Sequence, residues 1–171
     1  MTRALVLTLT WLLLPAQASP PSRDAILSAA RTVIGQARYA TLVTLDAGGQ
    51  PQARIVDPFA PEDDFTIWIG TNAATRKLAQ IAANPKATLL YFDQQRQHYV
   101  TVIGTAAIVR DLAEKARRFK PEWKAFYKNG SAGDDYVLVK IAVARLEVVA
   151  ESLGMTNDPN TWRPVFLEMK P

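Results

Sequence analysis

The sequence predicts a mainly β protein, a closed or split antiparallel β-barrel with flanking helices. Three observations predict this class: six stretches of the 171-residue chain have strand-like patterns, several of the links between them are short and turn-like, and only two or three stretches have helical periodicity. Closing a sheet into a barrel removes exposed edges. The alternation of helices and strands is too weak for a doubly wound parallel sheet.

Residues 1–18 are predicted to be a cleaved signal peptide. Arg3 precedes an apolar run over residues 4–14, and Ala16-Gln17-Ala18 matches a small-residue cleavage site. The alternative is an apolar first helix of the fold. The run is too short to span a bilayer comfortably, so we expect no stable membrane anchor. We expect an exported protein, periplasmic or secreted, whose single domain covers residues 19–171.

Composition excludes several classes of chemistry. The chain has no cysteine, which removes disulfides, thiol nucleophiles and Fe–S clusters. His98 is its single histidine, so a zinc site built from His and Cys is excluded and we expect no metal. The formal net charge of +4 is only mildly basic, and we expect no nucleic-acid partner.

The first half of the chain reads as a helix followed by three strands. Apolar residues recur at helical spacing from Ser22, a candidate N-cap, to residue 37. Tyr39–Leu45 and Gln52–Val56 flank a glycine-rich turn and predict a hairpin, and Phe65–Ile69 predicts a third strand.

The second half continues with a short helix and three more strands. Residues 75–83 place Leu78, Ile81 and Ala82 on one helical face, and Ala87–Phe92 predicts a strand. Residues 98–109 alternate, so that one face is predicted core (Val100, Val102, Gly104, Ala106, Ile108) and the other is not (Tyr99, Thr101, Ile103, Thr105). A helical region over residues 112–126, broken at Pro121, and a strand over Tyr136–Val149 follow.

Two features indicate an anion site. A strand end runs through Thr71 and Thr75 into a helix whose first turn carries Arg76 and Lys77. A helix N-terminus disfavours cations, so this pair predicts a bound anion such as a phosphate, unless both side chains are merely solvated. Arg54 lies between apolar residues inside a strand, where a lone cation is costly without an anion. Together they favour a ligand that carries a phosphate.

With these residues in view, the sequence resembles the pyridoxamine 5′-phosphate oxidase-like split β-barrel superfamily, most closely its general-stress FMN-binding branch. The resemblance rests on an ordered series of segments: Arg54-Ile55-Val56, residues 68–77, residues 84–89 and residues 99–106. It covers roughly Ile26 to Ser152.

The resemblance implies a homodimer that binds FMN, in preference to FAD or a deazaflavin, in clefts at the subunit interface. By position, Arg54, Thr71, Thr75, Arg76 and Lys77 would hold the FMN phosphate. The backbone around Ile55, Val56 and Gly70 would lie against the ribityl chain or ring, and Tyr99 and Thr101 would approach the isoalloxazine. Tyr99 also has a plain packing interpretation.

The resemblance further implies an FMN-dependent oxidoreductase whose substrate and small-molecule redox partner are unknown. Tyr99 stands where the vitamin oxidases carry glutamine, and no histidine follows His98 to form their C-terminal Arg-x-His pair. Pyridoxamine phosphate oxidation itself is therefore not expected. The alternatives are a non-catalytic flavin-binding stress or sensor protein and a haem-binding relative on the same barrel.

Export gives the first testable prediction. Arg3 is not followed by a second arginine, so we expect transport of the unfolded chain and loading of the cofactor outside the cytoplasm. Sequencing the N-terminus of the protein from its native host should read Ser19. Recovery of the uncleaved chain from the cytoplasm would contradict this prediction.

Overall fold

The computed structural model describes residues 19–169. The predicted signal peptide, residues 1–18, lies outside the described residues. The described chain forms a single antiparallel sheet that curls into a half-barrel with flanking helices, which confirms the predicted split-barrel class. Within residues 19–169, no helix is long and apolar enough to cross a membrane.

The elements, numbered along the chain, are α1 (Arg23–Ala37), β1 (Ala40–Leu45), β2 (Pro51–Val56), β3 (Ile67–Asn72), α2 (Arg76–Ala83), β4 (Lys86–Asp93), β5 (His98–Val109), α3 (Leu112–Arg117), β6 (Tyr136–Val149) and β7 (Val165–Glu168). A 3₁₀ turn over Pro121–Ala125 lies between α3 and β6.

The strands are ordered β2-β1-β4-β5-β6-β3, and β7 also pairs with β6. Along one edge β6 pairs with β5, and along the other it pairs first with β3 and then with β7. The outer strands β2 and β3 do not pair with each other. This leaves the split in the barrel between them.

Helix α1 begins as predicted and covers the core. The Ser22 hydroxyl accepts a hydrogen bond from the Ala25 N–H at 3.2 Å, which satisfies one of the free donors of the first turn. Its apolar stripe, including Ile26, Ala30 and Val33, is buried. Those side chains pack over β4 and β5, so α1 closes the core side of the curled sheet.

The alternation in β5 is confirmed. Val100 and Val102 are fully buried, whereas Tyr99 and Thr101 are partly exposed on the opposite face. Ile108 departs slightly, because it is only partly buried at the core edge.

The structure differs from the sequence-based predictions in one strand boundary, one buried helix position and one additional strand. The third strand is Ile67–Asn72 rather than Phe65–Ile69, because Phe65 has a positive φ of 68° in the turn before it. In α2, Ala82 was predicted to lie on the apolar face, but Ala82 is exposed and Gln80 is buried. The Gln80 side chain can be buried because its oxygen accepts two hydrogen bonds. Strand β7 was not predicted, since four residues carry too little periodicity.

Gly104 lies at a register shift between β5 and β6. A Cβ at this position would lie 2.1 Å from the Ala142 carbonyl oxygen. We expect Gly104→Ala to lower the free energy of unfolding by about 2–3 kcal/mol, since the strands must separate to admit the methyl group.

Gly35→Ala in α1 is the matched control, because no atom lies within 4 Å of its added Cβ. This substitution should stabilise the protein by about 0.5–1 kcal/mol. Urea denaturation measures both variants, and an equal effect of the two would contradict the assigned contact.

Candidate functional site

A pocket of about 250 Å³ occupies the split between the two edge strands β2 and β3. Its lining comes from the end of β2, from β3, from α2 and from the segment after α3: Ile55, Val56, Asp57, Ile69, Gly70, Thr71, Lys77, Trp123, Phe126 and Tyr127. The structure therefore brings together five residues that the sequence singled out, which are Ile55, Val56, Gly70, Thr71 and Lys77.

Arg54 is held beside this pocket by neutral acceptors. Its guanidinium donates to the Thr44 hydroxyl at 2.6 Å and to the Gln80 side-chain oxygen at 2.8 Å. The Thr44 hydroxyl in turn donates to the same Gln80 oxygen at 2.6 Å. These bonds join β2, β1 and α2, and they fix the guanidinium without neutralising its charge.

Three cations therefore crowd together at this end of the split. Burial lowers the pKa of Arg54, and the charge of Arg76 lowers it further. Burial also lowers the pKa of Lys77, with a second contribution from Arg54. Among residues 19–169, none of the three is paired with a carboxylate. An anion placed here would relieve their mutual repulsion.

The first turn of α2 adds to the positive potential. Thr75 occupies the N-cap position, but its side chain makes no capping bond, because the hydroxyl donates to the Asn72 carbonyl at 2.9 Å. The same hydroxyl accepts from the Lys77 ammonium at 3.1 Å. The first turn thus keeps backbone donors without a side-chain cap, which is the usual arrangement at anion-binding helix ends.

An aromatic wall closes the other side of the pocket. Trp123 packs against Gly70 so closely that a Cβ on Gly70 would lie 2.4 Å from its ring. Tyr127 packs edge-to-face on Trp123, and Phe126 is 75% exposed at the edge of the pocket. Sequence reasoning missed this wall, because it predicted only a helical region over residues 112–126, broken at Pro121, and gave its aromatic residues no part in a site.

Gln80 and Thr44 were also missed. Both are buried polar residues, and neither belongs to a motif. The sequence offered no signal for Gln80, because it lies off the helical face formed by Leu78, Ile81 and Ala82.

Two of the predicted residues lie away from the pocket within this chain. Tyr99 and Thr101 sit on the outer face of the sheet, cross-strand from Phe92 and Leu90 respectively. That face carries exposed apolar side chains among polar and charged ones: Ile55, Leu90, Phe92, Ile103 and Phe166. Ile55 belongs both to this face and to the pocket, so the pocket lies beside the edge of the outer face.

Neither His98 nor Trp162 lines the pocket. The His98 ring is 5% exposed, and its Nε2 lies 3.3 Å from the Ser152 hydroxyl, so it is a buried residue of the β5 end. Trp162 is 77% exposed in the C-terminal tail and does not line the pocket.

Comparison with known proteins identifies the fold and the family. Residues 26–150 match the family model described as pyridoxamine 5′-phosphate oxidase. The General Stress Protein 26 of Bacillus anthracis superposes with a TM-score of 0.64 at 22% identity, covering 85% of this chain and 96% of that one. A protein from Clostridium acetobutylicum that is described as related to general stress protein 26 superposes with a TM-score of 0.70 at 15% identity. The match covers 87% of this chain and 97% of that one. The chain belongs to the pyridoxamine 5′-phosphate oxidase family.

Sequence relatives match over a shorter segment. The pyridoxine/pyridoxamine 5′-phosphate oxidase of Cupriavidus necator is 44% identical over 72 residues, which is 42% of this chain and 33% of that enzyme. The heme-binding protein of Mycobacterium smegmatis shares the fold, with a TM-score of 0.57 at 23% identity over 77% of this chain and 55% of that one.

Proposed function

We propose that this protein binds FMN, with the phosphate group at the cluster of Arg54, Arg76 and Lys77. The observation that carries the proposal is the crowding of these cations beside an uncapped helix end, with no carboxylate partner within the described residues. A phosphate dianion would supply the missing negative charge. The family membership supports a flavin as the molecule that bears it.

The residues around the pocket fit such a ligand. Arg54 is already held in place by Thr44 and Gln80, so little ordering is required when an anion arrives. The Lys77 ammonium and the Thr71 side chain line the same pocket. Val56 of β2 and Gly70 of β3 also line the pocket, and the ribityl chain would lie along them.

FMN, when bound, would supply the redox chemistry, and the protein would fix its phosphate and exclude water from one side through the Trp123 wall. We propose an oxidoreductase that uses a small donor or acceptor. A flavin-binding stress or sensor protein without turnover is the alternative. Steady-state oxidation of NADH or of a reduced deazaflavin by the FMN-loaded protein distinguishes the two.

Haem is a weaker candidate for this pocket. Known relatives on the same fold include a heme-binding protein, but His98, the single histidine, is buried and contacts Ser152. It therefore offers no imidazole at the pocket as an axial ligand.

We further propose that two copies of the chain associate through the outer sheet face. The cross-strand row that starts at Ile55 runs through Thr41, Leu90 and Thr101, so it joins the edge of the pocket to the middle of the sheet. Association would bury the exposed apolar side chains of this face. It would also bring Tyr99 and Thr101 of the second copy toward the pocket, as the family resemblance implies.

Removal of two cations tests the phosphate site. We expect Arg76→Gln with Lys77→Gln to weaken FMN binding by roughly 100-fold or more, since each charge-assisted hydrogen bond contributes about 1.5–3 kcal/mol. Flavin fluorescence titration measures the affinity. Riboflavin, which lacks the phosphate, should bind the parent and the variant equally.

The matched control is Lys86→Gln with Arg110→Gln, two exposed cations that do not line the pocket. This variant should bind FMN as the parent does. Equal FMN affinity of parent and site variant would contradict the proposed site, as would equal loss in the control.

Association is tested separately at Leu90, which is 39% exposed on the outer face. Leu90→Glu should convert a dimer into a monomer in sedimentation velocity, because the carboxylate would be buried without a partner. Leu112→Glu is the control, at a leucine that is 63% exposed on α3, and it should remain dimeric. A monomeric parent, or unchanged association of the Leu90 variant, would refute the interface.

A further inference from the structure

A second cavity, of about 470 Å³, lies between the C-terminal half of α1 and the loop after β2. Its lining residues are Arg31, Ile34, Gly35, Arg38, Pro58, Phe59, Ala60, Pro61 and Tyr91, and none of them lines the pocket in the split. The volume falls in the range of small-molecule sites. The chain after β2 contributes Asp57 to the pocket in the split and Pro58 to this cavity.

Tyr91 presents a buried hydroxyl without a partner. The side chain is 1% exposed, and its hydroxyl makes no hydrogen bond to any described residue. Burial raises the pKa of Tyr91, so the group keeps its proton and remains a donor. A phenylalanine would fill the same core position without the desolvation cost of the hydroxyl, so the hydroxyl is a buried donor that lacks a partner within the described residues.

Arg31 supplies a fixed positive charge to the cavity. Its guanidinium donates to the backbone carbonyls of Pro61, Glu62 and Asp63 at 2.6–3.1 Å and stacks over Phe65 at 4.5 Å. These contacts use three of the five N–H groups of an arginine. The charge is immobilised, and within residues 19–169 no carboxylate pairs with it.

Arg38 adds a second and more mobile charge. Its side chain is 68% exposed, and its contact with the Asp57 carboxylate is long, at 3.8 Å. Exposed pairs of this kind are weak, so the guanidinium is available to another anion. No acidic residue lines the cavity.

The remaining lining is apolar. Ile34, Phe59 and three small or cyclic residues of the loop over 58–61 surround the space between the arginines and Tyr91. The cavity therefore suits a ligand that has a compact apolar body and a single anionic group.

We propose that this cavity is a binding site for a small aromatic carboxylate. The carboxylate would accept hydrogen bonds from Arg38 and from the Tyr91 hydroxyl, with Arg31 nearby, and the ring would pack on Phe59 and Ile34. This site is independent of the proposed flavin site, and its occupation requires no flavin.

The test uses phenylacetate as the probe, with 2-phenylethanol as its neutral counterpart, on the full chain as purified. Titration followed by ¹H–¹⁵N NMR should give saturable shifts around Arg31, Arg38 and Tyr91. The alcohol should bind at least tenfold more weakly, because it lacks the charge. No saturable binding of phenylacetate, or shifts confined to another region, would overturn the proposal.

Tyr91→Phe removes the hydroxyl alone and should weaken phenylacetate binding about tenfold while leaving the melting temperature unchanged or higher. Arg38→Gln should weaken it similarly. Tyr136→Phe is the matched control, because that hydroxyl donates to the Arg118 carbonyl at 3.2 Å outside the cavity. It should lower the melting temperature and leave binding intact. Equal phenylacetate affinity of the parent and Tyr91→Phe would also overturn the proposal.

Discussion

The hydrogen bonds among Arg54, Thr44 and Gln80 are the interaction on which the candidate site depends. They connect an edge strand, its neighbour and the following helix through a single side-chain oxygen. Because the acceptors are neutral, the guanidinium is positioned but keeps its charge. A carboxylate in place of Gln80 would cancel the potential that attracts an anion. The neutral amide of Gln80 therefore holds the Arg54 guanidinium in place without neutralising its charge.

The two faces of the sheet differ in burial, and the alternation along β1, β4 and β5 separates them. In β5 one set of side chains fills the core beneath α1, while the other set forms part of the exposed outer face. Apolar residues on both faces of a strand leave apolar surface exposed to water unless another element or molecule covers it. Ile55 lies both at the edge of this face and at the pocket. A molecule that covers the face would therefore also contact the rim of the pocket.

Much of this arrangement could be predicted from the sequence. The Ser22 cap, the alternation over residues 98–109 and the cations at the start of α2 are local signals. The structure confirms the helix start, the buried strand face and the helical position of the cations that these signals predicted. The segment around Arg54 was located correctly, but its partners were not, since the bond to Gln80 joins residues that are 26 apart in sequence. The family resemblance supplied what local patterns cannot, namely that the segment around Arg54 and residues 70–77 contribute to one pocket.

What could not be predicted was decided by tertiary contact. The break at Pro121 was predicted, but the 3₁₀ turn that starts there and the packing of the Trp123 ring against Gly70 were not. The four residues of β7 form a strand because β6 is long enough to offer them an edge. Neither outcome follows from the residues of the segment alone.

The contact between Gly70 and Trp123 has a consequence for relatives of this chain. The indole ring occupies the space in which any other residue at position 70 would place its Cβ. The two positions are thus expected to change together: a relative with a larger residue at the first should carry a smaller one at the second, or should fold the segment after α3 differently. The pair can serve as a marker, readable in an alignment, of which family members build an aromatic wall over the split.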